Sequence, residues 1–122
     1  MARKQQADLL LERTGLQLRQ LLQEAAGKLQ PFPPFPGAFF TNAIEVEAKA
    51  AESPGRGCVV VCEDGELYEL DMSIDFSDAA EDPVSARDEK LKKLDGLHPR
   101  DYVALAYDAI TRITEQLMER SE

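Results

Sequence analysis

Four groups of residues in this chain have types and spacings that could do chemistry. They are Cys58 with Cys62, His98 with Asp101, Arg56 between two glycines, and an acidic run from Glu63 to Asp82. Cys58 and Cys62 bracket Val59-Val60-Val61. In a strand they share a face but stand about 13 Å apart at ~3.3 Å per residue. A disulfide needs Cα atoms within about 7 Å, so a direct bond is excluded. One zinc ion could not take both, no C-x-x-C is present, and the single histidine lies far along the chain. The two cysteines read as small apolar strand residues.

His98 as a general base would need a carboxylate to orient it, and Asp101 is close in sequence. Pro99 follows directly, however, and marks the start of a helix, where His98 serves as a cap or an exposed side chain. There is no Gly-x-Ser-x-Gly elbow, and no Ser or Cys is tied to a base. Gly55-Arg56-Gly57 offers a small anion nest beside a guanidinium. It lacks the Gly-Lys-Ser/Thr ending of a phosphate loop. Arg56, His98 and Asp101 are therefore candidates for ligand binding, and no catalytic residue, metal ligand set or cofactor is assigned.

The acidic run holds nine acids and no base: Glu63, Asp64, Glu66, Glu69, Asp71, Asp75, Asp78, Glu81 and Asp82. Its spacing is not that of a calcium loop. It reads first as a solvated face and second as a docking surface for a basic protein, with Glu69, Asp71 and Asp75 projecting from the sheet. The net charge of -9 is uneven, since residues 1–30 carry five bases against three acids. A field of this sign repels nucleic-acid phosphate and anionic membrane. No stretch approaches the roughly 18 apolar residues of a membrane span, and the N-terminus lacks the apolar core of a signal peptide. The expectation is a cytoplasmic protein with reduced thiols.

These groups need elements to hold them. A chain of 122 residues with 43% hydrophobic side chains fits one domain, 1–122, with its own core. Residues 3–29 read as a helix, with Ala7, Leu11, Leu18, Leu21, Leu22, Ala25 and Leu29 on one stripe. Thr14-Gly15 interrupts it, either as a point of close approach or as a junction of two helices capped by Thr14 and Gln17. Leu9, Leu10 and Leu16 fall off the stripe, which suggests a second helical partner, either the same helix of a second copy in a homodimer or a helix over 83–95 of the same chain. Pro31 to Gly37 stops the helix and forms an extended connector. On it Phe32 and Phe35 pin the chain to the core, with Phe39 and Phe40 plugging the core beside them.

Ile44, Val46, Ala48 and Ala50 alternate with Glu45, Glu47 and Lys49, giving a half-buried strand over about 43–51. Ser53 to Gly57 is a turn cluster, and Cys58 to Cys62 is the densest β-branched run. Asp64-Gly65 then predicts a two-residue hairpin turn between strands 58–63 and 66–76. That register pairs Val61 with Tyr68 and Val59 with Leu70, so Val59, Val61, Tyr68, Leu70 and Met72 face the core. Cys58, Val60 and Cys62 fall on the opposite, wet face.

Asp82-Pro83 resembles a helix start, with a surface helix over 83–95 ended by Gly96. The last helix, 99–119, carries Tyr102, Val103, Ala106, Ala109, Ile110, Ile113, Leu117 and Met118 on its core stripe. The expected fold is α+β: a long N-terminal helix, a three-stranded antiparallel sheet, and a surface helix and C-terminal helix on one sheet face. This order resembles that of double-stranded-RNA-binding domains in topology alone. The lysine-rich helix start of those domains is missing, and the resemblance implies nothing about function. The functional expectation is a non-enzymatic interaction or adaptor module, self-associating through the N-terminal helix, with an acidic sheet face. The alternative is a small ligand-binding protein or enzyme with a pocket near the Pro/Phe connector and the start of the last helix.

Overall fold

The computed structural model describes residues 2–47, 58–74 and 87–121. In chain order the elements are α1 (Ala2–Lys28), β1 (Ala43–Glu45), β2 (Cys58–Cys62), β3 (Leu67–Ile74), β4 (Arg87–Lys93) and α2 (Pro99–Arg120). The strands form one antiparallel sheet in the order β1-β2-β3-β4. The class is α+β, as expected. Among the described residues, however, the sheet has four strands, not three.

α1 runs unbroken through Gly15. A Cβ there would meet the Tyr102 ring at 3.4 Å, so the glycine marks where α2 lies close. Further along, Arg120 Nη1 donates to Pro31 O at 2.8 Å. The two helices thus run in the same direction, side by side. Their inner faces, Leu22, Ala26 and Leu29 from α1 and Leu105, Ala106, Ala109 and Ile113 from α2, bury against Ile44, Val46, Val59, Val61 and Leu67 of the sheet side. α2 begins at Pro99, one turn before Tyr102, so about ten residues of α1 extend beyond it, ~15 Å at 1.5 Å per residue.

The hairpin register is one residue off the sequence expectation. Val60 opposes Tyr68 and Val61 opposes Leu67. The loop is Glu63-Asp64-Gly65, closed by Gly65 N donating to Cys62 O at 2.9 Å and Cys62 N to Glu66 O at 3.2 Å. A two-residue turn of the kind expected needs positive φ at both central residues. Only Gly65 adopts it, at 77°, and Asp64 does not. The three-residue loop spares Asp64 that strain, and Asp64 Oδ1 instead accepts from Glu66 N at 2.9 Å.

This slip exchanges the faces of β3. Leu67 packs under the helices, while Leu70 and Tyr68 join Val60, Cys62 and Ala43 on the other face. That face is not wet. Phe35 covers it, with Ala38 beside. The connector therefore pins both sides: Phe32 enters the helix-side core and Phe35 roofs the opposite one. Phe39 and Phe40 do not plug the core, being 53% and 67% exposed.

The surface helix expected over 83–95 is corrected to a strand where the chain is described. Arg87–Lys93 pairs with β3 along its whole length, Leu91 opposing Leu70. No residue of this run is β-branched, so its strand state is imposed by pairing. Gly96 does take a left-handed conformation, φ 74°, but it turns the chain between β4 and α2. The first four residues of the expected helix, 83–86, lie outside the described residues, as do 48–51 of the expected first strand and 75–76 of the third.

Candidate functional site

Of the ligand-binding candidates, His98 and Asp101 are described, and both serve the start of α2. His98 is the N-cap of α2, its Nδ1 accepting from Arg100 N at 3.1 Å. Asp101 sits in the first turn, where the helix dipole favours an acid, and its N–H donates to His98 O at 2.9 Å. Arg56 and Asp75 lie outside the described residues. Both cysteines are free thiols. Cys62 is pushed up to about 12, first by burial and then by Asp64 and Glu63, so it stays protonated and unreactive. Burial, and then Glu45, also raises Cys58.

Glu69 and Asp71 lie on β3, and β4 places a base across from each. Glu69 opposes Lys92 and Asp71 opposes Lys90. Opposite charges on facing positions are mutually stabilising, so this part of the acidic run is balanced within the sheet. Among the described residues no three His, Cys, Asp or Glu side chains gather as a metal site. No described helix is long and apolar enough to cross a membrane.

The leucines are a different matter. Leu9, Leu10, Leu16 and Leu21 are each between 54% and 64% exposed. Leu9 and Leu16, seven apart, share one face, and Leu10 and Leu21 lie about 100° around the helix. Both faces point away from the buried stripe of Leu22, Ala26 and Leu29. Beside Leu16 a cavity of 360 Å³ opens at the start of α2, lined by Glu12, Gly15, Leu16, Arg19, Leu97, Pro99 and Tyr102.

A polar cluster adjoins this cavity through Arg19, and no sequence signal singled it out. Arg19 donates through Nε and Nη2 to Glu66 Oε1 at 3.0 and 2.8 Å, and Gln23 Nε2 donates to the same oxygen at 2.9 Å. Lys93 Nζ stands 3.9 Å from Glu66 Oε2. These partners come from α1, the hairpin and β4, elements far apart in sequence. The Glu66 bond and charge raise Arg19 further above its ordinary value. With both oxygens engaged, Glu66 is a clamp between elements and not a base. Tyr102 OH is buried beside it and finds no partner among the described residues. Burial, followed by the charge of Glu66, raises the Tyr102 phenol.

A second exposed apolar surface surrounds Phe39 and Phe40, whose rings meet edge to face with centroids 6.3 Å apart. Glu89 of β4 holds this loop. Its carboxylate accepts from Phe39 N at 2.7 Å, Phe40 N at 3.1 Å and Thr41 Oγ1 at 2.7 Å. The chain matches no protein family, no curated protein and no solved structure.

Proposed function

We propose that this protein is a non-enzymatic interaction module that acts as a homodimer, two copies pairing through α1. The carrying observation is the set of exposed leucines, Leu9, Leu10, Leu16 and Leu21, on a helix that outruns α2, the other helix among the described residues. Leucines on several helix faces are costly to leave in water, each side chain being worth about 1.5–3 kcal/mol when buried. The engagement of His98 in capping and of Glu66 in a clamp supports the non-catalytic part of the reading. Light scattering after size exclusion should give twice the chain mass of 13.6 kDa, and Leu9→Glu with Leu16→Glu should halve it. A monomer at micromolar concentration removes the reading.

A second reading is favoured by the cavity at the start of α2, which has the size of a small-molecule site. Filling it with Leu97→Trp should abolish fragment binding seen by ligand-observed NMR. Fragments that bind the variant equally well exclude this cavity as their site.

A further inference from the structure

The four phenylalanines between α1 and β1 are treated in two ways. Phe32 and Phe35 are buried, and Phe39 and Phe40, a few residues on, face outward. Exposure here is not looseness. The backbone that displays them is fixed by the Glu89 carboxylate through two amides and a hydroxyl. Aromatic side chains displayed from a backbone fixed before contact suit recognition, because less freedom is lost when they bind.

Beside Phe40 lies an open cavity of 330 Å³, lined by Phe40, Thr41, Asn42, Cys62, Glu63, Asp64, Tyr68 and Leu91. Phe40, Tyr68 and Leu91 give it aromatic and aliphatic surface, beside the polar Thr41 and Asn42. Its rim carries two acids, and among the described residues lining it there is no base. Tyr68 is itself fixed, its hydroxyl donating to Asp64 Oδ2 at 2.6 Å. An aromatic face beside carboxylates suits a side chain with an apolar stem and a positive head.

We propose that the Phe39–Phe40 surface receives a basic segment of a partner protein, one arginine or lysine laying its stem over Phe40 and Leu91 with its charge at Glu63 and Asp64. The choice of occupant rests on this charge complementarity. It relocates the basic partner from Glu69 and Asp71, which β4 already balances, to the opposite sheet face. The surface is separate from the α1 leucines, so the proposal stands or falls independently of dimerisation.

The probe is acetylated tetra-arginine amide, titrated into the full chain and followed by backbone amide NMR. The expected result is saturable shifts at Phe40, Thr41, Glu63 and Leu91. Phe40→Ser and Glu63→Lys, both at exposed positions, should each weaken binding by about tenfold or more while leaving the rest of the spectrum in place. Three results would overturn the proposal: shifts centred elsewhere, equal binding by both variants, or the same shifts with tetra-glutamate.

Discussion

The sheet is covered on both faces around β2, but by unlike layers. On one side two helices press Leu22, Leu105, Ala109 and Ile113 onto Val59, Val61 and Leu67. On the other a single loop sets Phe35 over Val60, Cys62 and Leu70. A helix carries its own backbone hydrogen bonds and arrives rigid, whereas a loop must be fastened. Here the fastenings are Phe35 N to Thr41 O at 3.0 Å, Ala38 N to Phe35 O at 3.0 Å, and the Glu89 carboxylate. The helix side is thus held by bulk and the connector side by a few polar pins. Stability should concentrate on the first and adaptability on the second, which is also where the exposed aromatics lie.

Substitutions on the two faces should differ in cost. The largest effect is expected at Gly65→Ala. A Cβ there would stand 2.5 Å from Gln23 Cα, a backbone atom of α1, at a φ of 77° that alanine resists. Strain and steric displacement together should cost about 4 kcal/mol or more in urea unfolding. A loss under ~1 kcal/mol would mean that the hairpin does not lie against α1 as described. Leu105→Ala comes next, at about 4 kcal/mol, because a cavity between rigid helices and a sheet closes poorly. Phe35→Ala removes a larger side chain but should cost only about 3 kcal/mol, since the loop can settle onto the sheet. A Phe35 loss exceeding the Leu105 loss would reverse the assignment of rigid and adaptable faces.

Part of this asymmetry was legible in the sequence. Ile44 and Val46 face the helices, as their alternation with Glu45 and Glu47 implied. α2 and its start at His98-Pro99 were readable from the proline and the apolar stripe. Cys58 to Cys62 carries a further signal. It does not alternate, and an unbroken apolar strand points to burial on both faces. The turn at Asp64-Gly65 was visible, but its length depends on whether Asp64 accepts positive φ, which the dipeptide alone does not decide. The strand at Arg87–Lys93 was masked by local signals, a proline ahead and a glycine behind. Its partners across β3 form the strand, with Lys90 and Lys92 opposing Asp71 and Glu69. Nothing local distinguishes Phe39 and Phe40 from Phe32 and Phe35, because the difference lies in where Glu89 pins the chain. The Arg19–Glu66 clamp joins residues 47 apart and had no sequence signature.

A smaller effect separates the faces by sign. Tyr102 OH on the helix side is buried without a partner among the described residues. Removing an unsatisfied buried hydroxyl should help, so Tyr102→Phe is expected to stabilise by about 1 kcal/mol in the same urea measurement. A loss of similar size would show that the hydroxyl is bonded in solution.

The smallest effect is on the connector side and is read by pH. Tyr68 donates to Asp64 Oδ2 at 2.6 Å. That bond, with burial and the Asp64 charge behind it, pushes its phenol up to about 12. Folding therefore favours the neutral phenol. The stabilisation is fully present below the unfolded tyrosine value of ~10 and is lost as pH rises through 10 toward about 12. Asp64→Asn should bring the Tyr68 ionisation down toward ~10 in a phenolate absorbance titration, with Tyr68→Phe identifying the transition. An unchanged titration in Asp64→Asn would remove the pin. The comparison is sharpest in the wild type, where Tyr68 lies beside Phe35 and Leu70 while Leu105 and Ile113 lie across the sheet. As pH rises from ~10 toward about 12, NMR signals of Phe35 and Leu70 should shift before those of Leu105 and Ile113. Simultaneous shifts would mean that the two layers melt as one and that the connector is not held separately.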